Sequence, residues 1–463
     1  MPQTQTSGMS VAQGAALTIG AVLGTGVISL PATAAGIAGP ASILAWLALV
    51  VLSAPLALTF AALGARFPDA GGVSTYARRA FGSRAATAVG WLFYVVIAVG
   101  APPAAAFAGG YVADLVGGSR ATTMWAAGVI IAGVAVLNWF GVRISGRVQL
   151  GMAILLAVLL TVATVAALPH ADLSHLTPFA PNGWGAIAPA AAVVVWGFAG
   201  WEAVTSLAAD FRRPDRDLSR ATGIAIVVVG VLYLAVAGTS VLVLGPAAGR
   251  SAAPLADLLS IAVGGPVKVI TAVIALLLTA GTMNAYFAGC AKLGSALGRD
   301  GALPAWFAKG SEVGGVPRRS LSVIATLSAL AVALDAAGAL TAHESLLLTT
   351  GAFVLVYLLG TAAAIRLLPR GWARRGALIA LVSAAGLAAV TGWFMLWSLA
   401  IAAAALGYQT LRDRRAATVA PPPVPRSVIP GSIVPPPAVP PPAVPLGTGT
   451  PVDDPHCALP AAG

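Results

Sequence analysis

The chain has 463 residues, of which 58% are hydrophobic and only 9% charged, where a soluble globular protein has about 25% charged. That composition excludes a soluble fold, and two cysteines and four scattered histidines exclude a disulfide framework or a multi-thiolate metal module. The 26 basic and 15 acidic residues leave a net charge of +11, which in a polar protein would suggest nucleic acid, so the placement of the charges decides what the excess means.

A bilayer core about 30 Å thick needs about 20 mostly apolar residues per helix. Twelve such stretches follow one another, at 11–36, 40–64, 85–113, 122–140, 149–168, 186–209, 221–244, 266–291, 320–338, 345–366, 376–391 and 393–410. The last two share one apolar block that turns at Gly392, which leaves eleven or twelve spans. Residues 1–10 lack the basic flank and cleavage site of a secretory leader, so we expect a short cytoplasmic tail and a retained first span. After the membrane domain, 11–410, the composition changes: 15 of the 33 prolines fall in 421–463, and Val-Pro-Pro-Pro-Ala repeats from Val434 and from Val439. We expect 411–463 to be a disordered cytoplasmic tail of polyproline II character, either a ligand for a proline-reading partner domain or a plain solvated extension.

With an even number of spans, 23 of the 26 Lys and Arg residues fall on one side, leaving Arg120, Arg250 and Lys268 on the other. The positive-inside rule makes the crowded side cytoplasmic, with both termini there, in a cell inner (plasma) membrane. The charge excess is then topological, and no nucleic acid is needed. Glu202 is the one acidic residue placed well inside an apolar stretch. A charge at that depth costs at least about 2.5 kcal/mol, so it faces a cavity or has a partner. It is either a coupling or gating residue or a hydrogen-bonded tie between helices.

Spans 1 and 6 are unlike the others. Span 1 contains Gly20-Ala21-Val22-Leu23-Gly24-Thr25-Gly26-Val27-Ile28 before Pro31, and span 6 contains Trp196-Gly197-Phe198-Ala199-Gly200-Trp201-Glu202. Mid-helix glycines cost about 1 kcal/mol each relative to Ala. Close helix packing explains either one alone, but two breaks five spans apart fit inverted repeats, spans 1–5 and 6–10, with matching discontinuous helices. The N–H groups near Thr25, Gly26 and Val27 then suit a carboxylate, and carbonyls around Ala21 to Leu23 and Val195 to Phe198 suit an ammonium. A zwitterionic amino acid carries both groups on one carbon.

Gly24-Thr25-Gly26-Val27 resembles the G-[ST]-G-[IV] signature of the amino acid–polyamine–organocation (APC) superfamily, and Phe198-Ala199-Gly200-Trp201-Glu202 resembles its F-x-G-[FWV]-E element. The loop Asp210 to Ala221, the stretch Gly141 to Gln149, and Arg299-Asp300-Gly301-Ala302-Leu303-Pro304 with Pro317-Arg318 are similar to three further family stretches in the same order. Asp210, Arg213 and Ser219 depart from the family's loop pattern, and span 5 has no Lys, so that position does not give the coupling ion.

The resemblance implies an all-α membrane protein with a LeuT-like 5+5 inverted repeat, discontinuous helices 1 and 6, and about 12 transmembrane helices. It puts the substrate carboxylate on Thr25 and Gly26, and the amino group on carbonyls near Val22, Trp196 and Ala199. Gly24, Val27, Gly197, Phe198 and Gly200 complete the two breaks. Trp196 and Met283 are gate or side-chain pocket residues or else ordinary packing, and Glu202 matches a glutamate tied to proton coupling or gating. Within the family the chain is most similar to bacterial exporters of methionine and branched-chain amino acids.

Spans 3, 8 and 10 offer Ala101, Pro102, Met283, Asn284 and Phe353 to the pocket, with no acid for a cationic side chain. We therefore expect a secondary active transporter of neutral apolar amino acids such as methionine, leucine, isoleucine and valine, and a poor host for arginine, lysine or polyamines. Export with a coupling proton is the first reading, and a proton-coupled importer or a non-transporting amino acid sensor are the alternatives. No zinc, serine-hydrolase or P-loop motif is present, so we expect neither an enzyme nor a cofactor or metal.

Overall fold

The computed structural model describes residues 9–419 apart from 69–71, 142–145, 203–204, 206–207, 209–210, 265–266 and 311–314. Residues 1–8 of the expected N-terminal tail, Val142 to Ser145, Asp210, most of span 6 beyond Glu202 and the proline-rich tail from 420 onward lie outside the described residues. Contacts divide the chain into Met1–Arg414 and Arg415–Gly463, and the first unit holds everything that follows.

The described helices are α1 (Val11–Leu23), α2 (Leu30–Ala38), α3 (Ser42–Arg66), α4 (Gly72–Phe81), α5 (Ser83–Val116), α6 (Arg120–Trp139), α7 (Gly146–Ala167), α8 (Ile187–Val194), α9 (Pro214–Leu244), α10 (Pro254–Val263), α11 (Val267–Arg299), α12 (Arg318–Ala336), α13 (Ala342–Leu367), α14 (Trp372–Thr391) and α15 (Met395–Val419). Local chemistry explains several of their starts. At α1 the Ser10 hydroxyl accepts from the Gln13 N–H while the Gln13 side chain accepts from the Ser10 N–H, and Thr341 and Glu344 repeat the arrangement at α13. Pro214 and Pro254 open α9 and α10, where a missing N–H costs nothing.

Among the described residues, nine helical stretches are long and apolar enough to cross a bilayer, and Val11–Leu23, Trp184–Phe198 and Pro254–Val263 are shorter apolar helices. The difference from the expected twelve has a physical origin. Spans 1 and 6 are interrupted at their glycines, which leaves their first halves short. The turns Gly39–Ala41 and Gly392–Phe394 join α2 to α3 and α14 to α15 as unbroken apolar stretches. Helix α4, in the loop after span 2, is an additional element that burial explains: it sets Val73, Tyr76 and Ala77 against its neighbours and turns Arg78 and Arg79 outward.

Two apolar cores result. One is built from α5, α6, α11 and α12 around Tyr94, Met283, Phe287 and Ile324. The larger one gathers α1 to α3, α8, α9, α13 and α14 around Trp46, Phe60, Tyr233 and Tyr357. Trp196 and Ile97 pack against both, so the seam between the cores runs past the break in span 6.

At the end that carries α10, two of the three sparse-side basic residues are paired. Arg120 at the start of α6 meets Asp335 at the end of α12 at 2.6 Å, and Lys268 of α11 meets Asp114 of α5 at 3.1 Å. At the same end Asp172 caps a short turn; the Ser174 hydroxyl and N–H hold its carboxyl below the usual range. Asp335 is buried whereas Arg120 is 62% exposed. We expect Arg120→Ala to cost about 1–2 kcal/mol, less than the loss of a fully buried pair because the guanidinium is mostly in water. Adding Asp335→Asn should recover part of that loss, which thermal unfolding of the single and double variants would check.

Candidate functional site

Span 1 stops where Gly24 takes φ 40°, a conformation that favours glycine, and its N–H still reaches the Gly20 carbonyl at 3.3 Å. A single turn, Gly26–Ile28, follows before α2. Span 6 narrows from α8 into the turn Val195–Phe198, after which Ala199 is extended and Gly200 takes φ 127°. The two breaks touch. A Cβ on Gly200 would lie 2.7 Å from the Ala21 carbonyl oxygen, and one on Gly26 would lie 2.9 Å from the Trp196 ring. Glycine is required at both places by close approach, and at Gly200 by backbone angle as well.

Side chains from other helices hold the broken ends. The Tyr233 hydroxyl of α9 lies within hydrogen-bond reach of the Val22 carbonyl, at 2.8 Å, and of the Gly197 carbonyl, so one phenol bridges the end of α1 to the turn after α8. Its ring is fixed edge-on by Trp46 and Phe198, at 5.0 and 4.9 Å. Glu202 is 7% exposed, and its Oε2 accepts from the Gly200 N–H and from the Tyr357 hydroxyl of α13, each at 3.0 Å. The carboxylate therefore pins its own strand-like segment and ties it to α13. The Tyr111 hydroxyl of α5 donates to the Ile28 carbonyl at 2.7 Å and accepts from the Leu255 N–H of α10 at 3.3 Å.

A cavity lies where the breaks cross. Thr25 and Gly26 line one wall and Trp196, Gly197 and Ala199 another, with Ala101 of α5, Met283 of α11 and Phe353 of α13 closing it; none of its lining residues is charged. Thr25 is buried, and among the described residues no acceptor is paired with the N–H of Thr25, Gly26 or Val27. Buried N–H groups are rarely left unpaired, so this wall can take a ligand acceptor such as a carboxylate.

Val22, Gly24, Thr25, Gly26, Trp196, Gly197, Ala199 and Met283, all singled out in the sequence, line this cavity. Val27, Phe198, Gly200, Glu202, Pro102 and Asn284 do not. Asn284 faces away, its Oδ1 accepting from Asn138 of α6 at 2.7 Å, because an amide at that depth needs a partner and α6 supplies one. Phe198 is turned into the larger core beside Trp46.

Sequence reasoning missed Thr282, Tyr286 and Thr349 on the cavity wall, and Tyr233 and Tyr357 behind it. Thr282 and Tyr286 are four apart on one face of α11, and asking which hydroxyls share a helix face would have found them. With Ala21 and Gly24 they also line a second cavity, which continues beside Leu17 and Gly20 of α1 and Met152 and Leu156 of α7.

Known proteins match over nearly the whole of this core. A family described as amino acid permease matches residues 9–412. The uncharacterised amino acid permease YecA of Bacillus subtilis strain 168 is 32% identical over 411 residues, 88% of this chain and 96% of its own length. The L-methionine/branched-chain amino acid exporter YjeH of Escherichia coli K12 is 30% identical over 400 residues, 84% of this chain and 93% of its own. Over a shorter stretch of 243 residues the branched-chain amino acid permease BcaP of Bacillus subtilis is 30% identical. With its apolar helices crossing the membrane several times and its two breaks at one cavity, the chain belongs to the amino acid permease family of the APC superfamily.

Proposed function

We propose that this permease is a secondary active transporter of neutral apolar amino acids, with methionine, leucine, isoleucine and valine as substrates, working by alternating access around the two breaks. The observation that carries the reading is the wall of N–H groups at buried Thr25, Gly26 and Val27, unpaired among the described residues, beside a cavity with no charged lining residue. In this reading the substrate carboxylate sits on those groups. Its ammonium takes carbonyls near Val22, Trp196 and Ala199, whose second lone pairs stay open when the first is used. The side chain points towards Met283 and Phe353, where an apolar group gains from burial and a cation would find no partner.

Spans 1–5 and 6–10 form the inverted 5+5 repeat in this reading, with α14 and α15 completing twelve spans. The domain 11–410 is the transporter, flanked by cytoplasmic tails at 1–10 and 411–463, the latter a candidate ligand for a partner domain. The 23-to-3 split of basic residues supports a plasma-membrane orientation with both termini cytoplasmic. On the opposite side Tyr111 links α10 to the Ile28 carbonyl above the site, while the second cavity leads along α1 towards its N-terminal half. A site covered on one side and extended on the other is what alternating access requires of one of its states. Likeness to a methionine and branched-chain exporter supports export over import, and in this reading a proton is the coupling ion.

The test is counterflow in proteoliposomes loaded with each of the twenty amino acids, with and without a proton gradient. We expect exchange of methionine, leucine, isoleucine and valine and none of arginine or lysine; binding of methionine without flux under any gradient would leave a sensor instead. Gly26→Leu should abolish binding of every substrate, because its side chain would fill the carboxylate wall and meet the Trp196 ring; retained affinity in equilibrium binding would make the break a packing device. For Glu202→Gln we expect transport to fall and its pH dependence to flatten, since an amide cannot exchange the proton. A pH profile identical to that of the unaltered protein would reduce Glu202 to a tie between span 6 and α13.

A further inference from the structure

At the end of the molecule opposite α10, basic side chains gather where two membrane spans leave the apolar layer. Arg66 is the last residue of α3, and Arg366 lies one residue before the end of α13. Between them α4 packs on α5 and α13 and turns the exposed Arg78 and Arg79 outward. The guanidinium of Arg79 lies 4.8 Å from the centre of the Phe67 ring and that of Arg66 5.8 Å from the same ring. Arg366 stacks 4.9 Å from the Phe81 ring and donates to the Ala80 carbonyl at 2.9 Å.

Stacking a guanidinium on an aromatic face fixes its plane and leaves its N–H edge for an acceptor. Two other stacked arginines use that edge internally: Arg318 on Trp139 donates to the Trp139 carbonyl, and Arg319 on Trp306 donates to the Trp306 carbonyl. Arg66 and Arg79 do not. Among the described residues no carboxylate pairs with either, nor with Arg78, and neither donates to a backbone carbonyl. Two oriented forks with unused donors, at and beside the end of the apolar stretch Leu30–Arg66, are complementary to phosphate.

We propose that Arg66 and Arg79, flanked by Arg78 and Arg366, bind the phosphate headgroup of an anionic phospholipid in the adjacent leaflet. The two stacked forks grip the phosphate, Arg78 and Arg366 add long-range attraction, and the half-buried Phe67 and exposed Phe81 sit at the boundary where acyl chains begin. The bound lipid bridges the end of α3 to α4, which itself rests on α13. This site is separate from the amino acid cavity and does not depend on the identity of the transported substrate.

The test uses the full chain reconstituted in mixed vesicles, with spin-labelled phosphatidylglycerol and phosphatidylcholine reporting the lipid held at the protein surface. We expect phosphatidylglycerol to be preferred, and Arg66→Gln/Arg79→Gln to lower that preference by about fivefold per arginine removed. The charge-matched pair Arg318→Gln/Arg319→Gln should lower it distinctly less, because their forks are already occupied and only their long-range attraction is lost. Soluble glycerol phosphate at millimolar concentration should not displace the lipid. No preference in the unaltered protein, an equal loss in the control pair, or displacement by glycerol phosphate would each overturn the proposal. Should the double variant fail to fold, Arg79→Lys keeps the charge without the fork; it should lose part of the preference, and an unchanged value would overturn the proposal equally.

Discussion

Everything distinctive in this molecule follows from one constraint: a peptide N–H or carbonyl at the centre of a bilayer must find a partner, because no water is there to supply one. An unbroken helix meets the constraint within itself. Two of the expected spans give up that solution at the same place, and the rest of the architecture compensates. The single Tyr233 hydroxyl proton lies within reach of a carbonyl from each break, Glu202 takes the Gly200 N–H, Tyr357 donates to the Glu202 carboxylate, and Tyr111 donates to the Ile28 carbonyl. Among the described residues, the N–H groups of Thr25, Gly26 and Val27 at the same crossing have no such partner. The compensation is thus selective, and the omission marks the cavity.

The partners are almost all tyrosines, and the choice has a physical basis. A phenol reaches about as far as a charged side chain but enters an apolar layer with only one polar group to satisfy. Its ring adds packing in the same step, as the edge-on contacts of Tyr233 with Trp46 and Phe198 illustrate. Glu202 is the exception. A carboxylate costs far more to bury than a phenol, and a phenol or amide could tie span 6 to α13 at lower cost, so the presence of an ionisable group at this junction favours a role in coupling over a role as a tie.

The breaks were legible in the sequence because glycine is the residue that tolerates both positive φ and backbone contact, and Gly24, Gly26 and Gly200 are each used in one or both ways. The helices that face them were harder to phase. A membrane helix is apolar on the lipid side and on the protein side alike, so hydrophobic periodicity, which orients helices in soluble proteins, loses its contrast here. Asn284 was placed in the pocket for that reason, although its partner Asn138 is 146 positions away and nothing near it in sequence announces the pair. Tyr357 was overlooked on the same ground. The span count is harder to read for another reason: among the described residues Val11–Leu23 and Trp184–Phe198 are too short to cross alone, and a break that is visible as a motif does not reveal by itself how much helix survives on either side.

The geometry at Glu202 links proton exchange to the shape of the break. One oxygen, Oε2, accepts both the Gly200 N–H and the Tyr357 hydroxyl, an arrangement suited to an ionised carboxylate, which offers only acceptors. Adding a proton turns one oxygen into a donor. If that oxygen is Oε2, it can no longer accept both bonds with the same strength, and Gly200 or Tyr357 must loosen. Gly200 packs against the Ala21 carbonyl of span 1 so tightly that a Cβ there would lie 2.7 Å from it, so loosening there changes how the two breaks cross, next to the wall proposed to take the substrate carboxylate. In the proposed transporter, proton and substrate therefore need not touch in order to be coupled; they act on the same two segments of backbone from opposite sides.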